Sequence, residues 1–226
     1  MIFFKYLFIF LLFSFVGWIL ELVYRSYNSK KFINPGFMSG CVVPLYGFGA
    51  LIMYLLCNDL SEINSKYKVL IIVLISILLL TLLELISGIL LDKLFHLRLW
   101  DYSKYKYNYK GLICINFSLI WGILAFSFYY FMYNPINNIS NSFISSDYGL
   151  FFLGLASGIF IIDLAMSIQL LNRIVKYANE IKQTVDLEKL RLDIIKRITN
   201  KKFINSVYPY TSINRYLKEK IKDITK

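Results

Sequence analysis

The chain has 226 residues, of which 58% are hydrophobic and 17% are charged, and its formal net charge is +11. A soluble domain of this size cannot bury so many apolar side chains, since apolar residues make up only about half of an ordinary globular chain. The composition therefore excludes an ordinary soluble protein and indicates an integral membrane protein.

Five apolar runs are candidates for membrane-spanning helices, which need about 20 residues each. They cover residues 2–23, 42–57, 69–91, 112–133 and 148–171, and the second run is the shortest. The first run is followed by no small-residue cleavage site, so we interpret it as a retained helix and not as a secretion signal. We predict an all-α integral membrane protein with about five transmembrane helices in residues 1–171 and a basic tail in residues 172–226.

Basic residues alternate between the two ends of these runs. The segments after the first, third and fifth runs hold three, five and fourteen Lys and Arg residues, whereas the other segments hold one, two and none. Because basic residues near span ends remain cytoplasmic, this pattern predicts an external N-terminus and a cytoplasmic tail. The positive charge thus marks topology, and we expect the lipid bilayer, not a nucleic acid, as the partner.

Three acidic residues interrupt the first, third and fifth runs: Glu21, Glu84 and Asp163. The predicted orientation puts all three in the cytoplasmic half of the membrane, where ionisable groups are costly and usually functional. Arg25 follows Glu21 by one turn, the spacing at which two charges pair on one helix face. The alternative is that each acid is a structural member of a hydrogen-bonded helix interface, or is simply protonated.

Residues 34–49, called the Gly/Pro segment below, contain four glycines and two prolines and lead into the second run. Such a composition opposes a regular helix, and irregular backbone survives in a membrane only when it is packed in protein or lines a watery cavity. A tight turn with close helix packing at Gly47 and Gly49 is the other interpretation. Our hypothetical substrate path comprises Glu21, Arg25, Asn34, Gly36, Pro44, Tyr46, Gly47, Gly49, Glu84 and Asp163.

The third connection carries the single histidine, His96, close to Trp100, Asp101 and Tyr102. Aromatic residues at this depth commonly anchor helix ends in the membrane surface. His96 beside an acid could act as a general base, but no nucleophile or ligand cluster accompanies it, so anchoring is favoured. The three cysteines show no C-x-x-C spacing, and we predict no catalytic residue, metal site or cofactor.

The tail holds fourteen basic and six acidic residues, and its apolar residues recur near helical spacing between Ile174 and Ile198. This pattern predicts an amphipathic helix that could bind a partner helix or the anionic leaflet. A solvated segment that only fixes topology is the alternative.

Several separated motifs resemble a family of small bacterial membrane proteins labelled putative type-IV ABC-transporter permeases. The resemblance covers residues 10–135, so Asp163 and the tail lie beyond it, and Pro35 and Val43 stand where the family commonly has an arginine and a cysteine. The motifs are Gly17-Trp18-Ile19-Leu20-Glu21, Tyr24-Arg25-Ser26, Asn34, Gly36-Phe37, Gly40, Pro44-Leu45-Tyr46-Gly47-Phe48-Gly49, Glu84, Gly88, Leu94-Phe95-His96, Trp100-Asp101-Tyr102-Ser103, Gly111, Ile113-Cys114 and Phe117-Ser118-Leu119-Ile120-Trp121-Gly122.

This resemblance implies a transporter permease in the bacterial cytoplasmic (inner) membrane. The sequence contains no G-x-x-x-x-G-K-[ST] phosphate loop, so we expect the ATPase to be a separate subunit and two copies of the chain to form a homodimer. Two other classes stay open: a membrane-embedded enzyme that acts on lipids, and a membrane sensor or assembly factor that signals through its tail.

Overall fold

The computed structural model describes residues 1–30, 33–62 and 66–181. This part of the chain is nearly all helical, with one short hairpin and one π-helical turn. Its elements in chain order are α1 (Ile2–Ser29), α2 (Pro44–Asp59), α3 (Lys68–Phe95), β1 (Asn108–Tyr109), β2 (Ile113–Cys114), α4 (Ile115–Ser127), the π-helical turn (Phe128–Met132), α5 (Tyr133–Ile144) and α6 (Asp147–Ile181).

Four helical segments of the described chain are long and apolar enough to cross a membrane. They are α1, α3, the continuous segment Ile115–Ile144, and Asp147–Arg173 within α6. Leucine, isoleucine and phenylalanine cover most faces of these helices, and many of those side chains are exposed, as expected for contact with lipid. The prediction of an all-α membrane protein is confirmed.

The shortest predicted span forms α2, which has 16 residues and begins with Pro44. Proline suits this position because the first helical residue needs no backbone N–H donor. The helix packs in the middle of the bundle, where Ala50, Tyr54 and Cys57 are buried against Ile9 of α1 and Ile72 of α3. The sequence placed the start of this helix at residue 42, two residues before its actual start.

The helix that contains the fourth predicted span, residues 112–133, extends beyond residue 133. The chain stays helical through the π-helical turn and α5 to Ile144. Pro135 cannot donate a backbone hydrogen bond, and the wider turn just before it accommodates this loss, with the Tyr133 N–H donating to the Phe128 carbonyl. The polar composition of α5 concealed its helical pattern, in which Ile136, Ser140 and Ile144 are buried.

The connection between α3 and α4 is ordered by local hydrogen bonds. His96 ends α3 in the left-handed conformation (φ 51°), and its N–H donates to the Asp92 carbonyl. Strands β1 and β2 then pair antiparallel, Asn108 opposite Cys114. We call residues 96–114 the hairpin loop.

Helix α6 continues to Ile181, beyond the predicted end of the fifth span at residue 171. Most of the predicted basic tail, residues 172–226, lies outside the described residues, including the greater part of its predicted amphipathic helix.

Candidate functional site

A cavity of about 1090 Å³ lies beside α1, within the group of helices. Its walls come from α1, the beginning of α2, the second half of α3, the hairpin loop, α4 and α6. A volume near the upper end of the range for small-molecule sites is large enough for a ligand of lipid or drug size. Most of its lining is apolar, and the polar groups gather at the end formed by α3 and the hairpin loop.

Glu84 is the most deeply placed polar group of the cavity, with 3% of its surface exposed. Its Oε1 accepts a hydrogen bond of 2.8 Å from the Tyr102 hydroxyl, and its Oε2 accepts one of 3.1 Å from Trp121 Nε1. The two donors belong to the hairpin loop and to α4, so the carboxyl group of α3 joins three elements. These bonds give each oxygen of the carboxyl group one hydrogen-bond partner, and both donors are uncharged.

Small side chains on α3 allow the hairpin loop to approach Glu84. Gly88 follows Glu84 by one turn, and a Cβ at this glycine would lie 3.0 Å from Leu112 and 3.4 Å from Trp100. Trp100 Nε1 donates to the Leu112 carbonyl across 2.9 Å, which closes the loop on itself. The absence of a side chain at Gly88 therefore permits the contact that positions Tyr102.

Tyr102 is held from two further directions. Its ring stacks on Phe117 of α4 with centroids 4.1 Å apart, and its backbone N–H donates to the Gly111 carbonyl across 2.9 Å. Burial and the nearby carboxyl group of Glu84 raise the pKa of the Tyr102 hydroxyl above its ordinary value. The hydroxyl consequently stays protonated at neutral pH and remains a hydrogen-bond donor.

Glu21 and Arg25 form the ion pair that their spacing predicted. Arg25 Nε donates to Glu21 Oε1 across 2.9 Å, and both side chains retain 20% exposure. Arg25 also donates to the Leu99 carbonyl across 2.8 Å, which ties α1 to the hairpin loop. Because both groups line the cavity, this pair contributes two opposite charges to its wall.

Tyr46 of α2 packs against α1 and lies near α4. Its ring lies against Gly17 of α1, where any larger side chain would collide with it, and its centroid is 6.0 Å from that of Trp121. Gly47, the next residue, lies against Ser14 and the Phe10 carbonyl and keeps α2 close to α1.

The first part of the Gly/Pro segment is irregular, as predicted. Trp18 Nε1 donates to Asn34 across 2.6 Å, Asn34 in turn donates to the Ser39 carbonyl across 3.0 Å, and Gly36 has φ 76°. Val43 N–H donates to the Ser14 carbonyl across 2.9 Å. These bonds hold Gly36 and Pro44 in the cavity wall, and Asn34 lies outside that wall.

Asp163 has a different environment. Its Oδ2 accepts a 3.0 Å hydrogen bond from the Gly40 N–H, and Ser167 donates to its Oδ1 across 3.4 Å. Ser167 Oγ also accepts a 3.0 Å bond from the Ser39 N–H. Asp163 thus fastens the Gly/Pro segment to α6 and does not line the cavity, although Phe160 and Leu164 of the same helix do. Next to Gly40, Cys41 is exposed, whereas Cys57 and Cys114 are buried.

Most of the predicted site residues line the cavity, and the others lie outside its wall. The predicted residues that line the cavity are Glu21, Arg25, Gly36, Pro44, Tyr46, Glu84, Trp100, Asp101 and Tyr102. Those that do not line it are Asn34, Gly47, Gly49, His96 and Asp163. The path hypothesis missed Trp121, Phe117 and Tyr105, whose positions on one wall depend on tertiary packing and leave no periodic signal in the sequence.

Within the described ranges, no cluster of His, Cys, Asp or Glu could hold a metal ion. Asp101, at the rim, has its pKa lowered by hydrogen bonds from the backbone N–H and the hydroxyl of Ser103. Asp101 is therefore ionised at neutral pH and shapes the turn that leads into the hairpin.

A family model described as "Putative ABC-transporter type IV" matches residues 8–168. That range covers more than half of the chain and includes Asp163 as well as the polar end of the cavity. Neither a curated protein nor a solved structure matches the chain.

Proposed function

The chain belongs to the family described as "Putative ABC-transporter type IV", and on that basis we propose that it is the membrane-embedded permease of an ABC transporter. Its substrate passes through the cavity, and two copies form the transport unit. The ATPase is a separate polypeptide, because the chain has no phosphate loop. The proposed cellular location of the protein is the bacterial cytoplasmic membrane.

One observation supports this function above the others: the cavity extends along α1 from Phe3 to Arg25. At about 1.5 Å per residue this distance is on the order of 30 Å, comparable with the hydrocarbon thickness of a bilayer. A groove of that length, with charged groups at one end, suits a path across the membrane better than it suits a compact catalytic pocket.

The hairpin loop supplies a connection between this cavity and a cytoplasmic partner. Tyr102 lies in the loop and bonds directly to Glu84, while Leu99 of the same loop accepts from Arg25. A displacement of the loop by an ATPase would therefore change two polar contacts in the cavity wall at once. Lys104, Lys106 and Lys110 are exposed on the loop and offer a positive surface to such a partner.

The decisive test is purification of the chain through a tag on its C-terminal tail in a mild detergent, followed by identification of the proteins that remain bound. A characterised ABC transporter purified in parallel shows whether the conditions preserve such complexes. We expect a phosphate-loop ATPase to be recovered. If the parallel complex survives and no ATPase accompanies this chain, the permease proposal is overturned.

The recovered complex also allows the cavity to be tested without knowledge of the substrate. ATP hydrolysis in lipid nanodiscs is measured for the wild type, Glu84→Gln and Glu62→Gln, the last being an exposed glutamate outside the cavity. We expect Glu84→Gln alone to change the hydrolysis rate while the ATPase stays bound. Equal rates in all three proteins would contradict a role of Glu84 in the transport path.

The proposed orientation has its own test. A reporter fused at Lys106 of the hairpin loop should show a cytoplasmic position, and a reporter fused ahead of Ile2 should show an external one. The reverse result would move the polar end of the cavity to the outer face and separate the hairpin loop from any ATPase.

A further inference from the structure

The cavity has two chemically different parts. Its long arm runs beside the first half of α1 and is lined by Phe3, Leu7, Phe10, Phe48, Leu51 and Phe160. These side chains offer no charge and no strong hydrogen bond, so the arm suits a hydrocarbon chain. Its other end contains the polar groups around Glu84.

Aromatic side chains are concentrated at that polar end: Tyr46, Trp100, Tyr102, Tyr105, Phe117 and Trp121. They pack on one another, since Tyr105 meets Phe117 edge to face at 5.4 Å and Tyr46 lies 6.0 Å from Trp121. Aromatic rings attract cations through their negative faces, and groups of such rings around a cavity are a known means of binding ammonium ions.

Among the described residues that line this end, Glu21 has a cationic partner and Glu84 has none. Arg25 pairs with Glu21 and Arg98 pairs with Asp92, whereas both donors to Glu84 are uncharged. A carboxyl group that is ionised and buried without a cation is costly. A cationic ligand would supply the missing charge, whereas an anionic head group would be repelled.

From the apolar arm, the aromatic rings and the unmatched acid together, we propose that the cavity binds an amphiphile with an ammonium head group. The head group lies among the aromatic side chains next to Glu84, and the hydrocarbon chain lies along the arm beside α1. This inference rests on the proposed function, because it names the substrate class of the same cavity.

The test uses the tryptophan fluorescence of the purified protein, because Trp100 and Trp121 both line the cavity. In maltoside micelles the protein is titrated with a chain-brominated alkyltrimethylammonium, whose bromine quenches nearby tryptophan. A brominated alkyl maltoside of equal chain length corrects for partition into the micelle. Tetramethylammonium, which has the head group alone, measures the contribution of the chain.

We expect saturable quenching by the ammonium probe with an apparent Kd about tenfold lower than that of the neutral probe, since one charged contact of this kind corresponds to about one decade of affinity. Tetramethylammonium should compete only at much higher concentration. In Glu84→Gln the preference for the ammonium probe should be lost, and in Glu62→Gln it should be retained.

Equal affinity of the ammonium and neutral probes in the wild type would overturn the inference, and this result does not depend on the folding of any variant. Unchanged preference in a folded Glu84→Gln protein would overturn the assignment of the head-group position. A second titration with brominated phosphatidylethanolamine separates two sources of the ligand: saturable binding identifies a membrane lipid, and binding of the single-chain probe alone identifies a free amphiphile.

The probe titration and the purification experiment that tests the permease can succeed or fail separately. Recovery of an ATPase without preferential ammonium binding keeps the transporter and rejects this substrate class. Preferential ammonium binding without any ATPase keeps the ligand class and rejects the transporter.

Discussion

Two carboxyl groups within long helices, Glu84 on α3 and Asp163 on α6, have different partners. Glu84 accepts bonds from the side chains of Tyr102 and Trp121, which come from two other elements, and it faces the cavity. Asp163 accepts from the backbone N–H of Gly40 and lies outside the cavity wall. The first acid is part of the cavity wall, whereas the second replaces a missing backbone acceptor in an irregular segment.

A position within a long apolar helix therefore does not by itself determine whether an acid faces the cavity. The partners differ instead: Asp163 accepts from the backbone N–H of Gly40 and so compensates irregular backbone, whereas Glu84 accepts from two side chains at the cavity. Substitutions at both acids and at their partners test this difference, and Glu84 should show the largest effect.

Replacement of Glu84 by alanine should give the largest loss of stability. It leaves the Tyr102 hydroxyl and Trp121 Nε1 buried without an acceptor, and each such loss costs about 1–3 kcal/mol. We expect the free energy of unfolding in detergent to fall by about 2–4 kcal/mol. Glu62→Ala, at an exposed glutamate, should change it by no more than about 0.5 kcal/mol. Equal effects of the two substitutions would refute the proposed anchoring of Tyr102 and Trp121.

Replacement of Asp163 by alanine should have a smaller effect of a different kind. The Gly40 N–H loses its acceptor, and we expect unfolding to become easier by about 1–2 kcal/mol. Binding of the ammonium probe to the folded variant should stay at the wild-type value, because Asp163 does not line the cavity. Loss of probe binding together with normal thermal stability would place Asp163 in the ligand site and remove the contrast with Glu84.

Tyr102→Phe should cost about 1 kcal/mol of stability, the usual contribution of one hydrogen bond. The variant keeps the ring that stacks on Phe117 and loses only the hydroxyl that donates to Glu84. Tyr107→Phe, on the exposed part of the same loop, is the matched control and should be neutral. Thermal unfolding of both variants in one detergent gives the comparison, and equal melting temperatures would contradict the Tyr102–Glu84 bond.

The smallest expected effect concerns the surface acid Asp101. Its pKa in the folded protein is lowered from the ordinary value of 3.8, first by the Ser103 N–H and then by the Ser103 hydroxyl. Because the pKa of Asp101 is lower in the folded than in the unfolded protein, ionised Asp101 stabilises the turn at pH values above its unfolded pKa. This stabilisation disappears as the pH falls through its folded pKa. The Ser103 amide should therefore lose its protection from hydrogen exchange at pH values below the folded pKa of Asp101, after correction for the intrinsic pH dependence of exchange.

Asp101→Asn is the control for this titration, since an amide keeps an acceptor oxygen but does not ionise. Protection of the Ser103 amide in the variant should not depend on acid pH. If it retained the same dependence, another group would control the turn.

Local sequence patterns predicted the helices and part of the site. Continuous apolar runs identified α1, α3 and α6, and the spacing of four residues identified the pair of Glu21 and Arg25. Both signals arise within a single helix, where geometry follows directly from residue spacing.

The remaining features depend on contacts between distant segments. Trp121 lies 37 residues from Glu84 and Tyr102 lies 18 residues from it, so no periodicity connects them. Asp163, like Glu84, is an acid within a long apolar run, but it lies outside the cavity. The fold of the Gly/Pro segment determines its surroundings. The helical continuation past Pro135 was missed for a similar reason, since its buried face becomes recognisable only against α1.

The position of Cys41 gives the wild-type chain a built-in reporter. It is the exposed one of three cysteines, and it lies beside the Gly40–Asp163 bond that fastens the Gly/Pro segment to α6. Partial burial, and then the negative charge of Asp163, raise the pKa of the Cys41 thiol and so slow its reaction with maleimides. Any movement that separates the segment from α6 should accelerate labelling, so opening of this joint can be timed without altering a single residue.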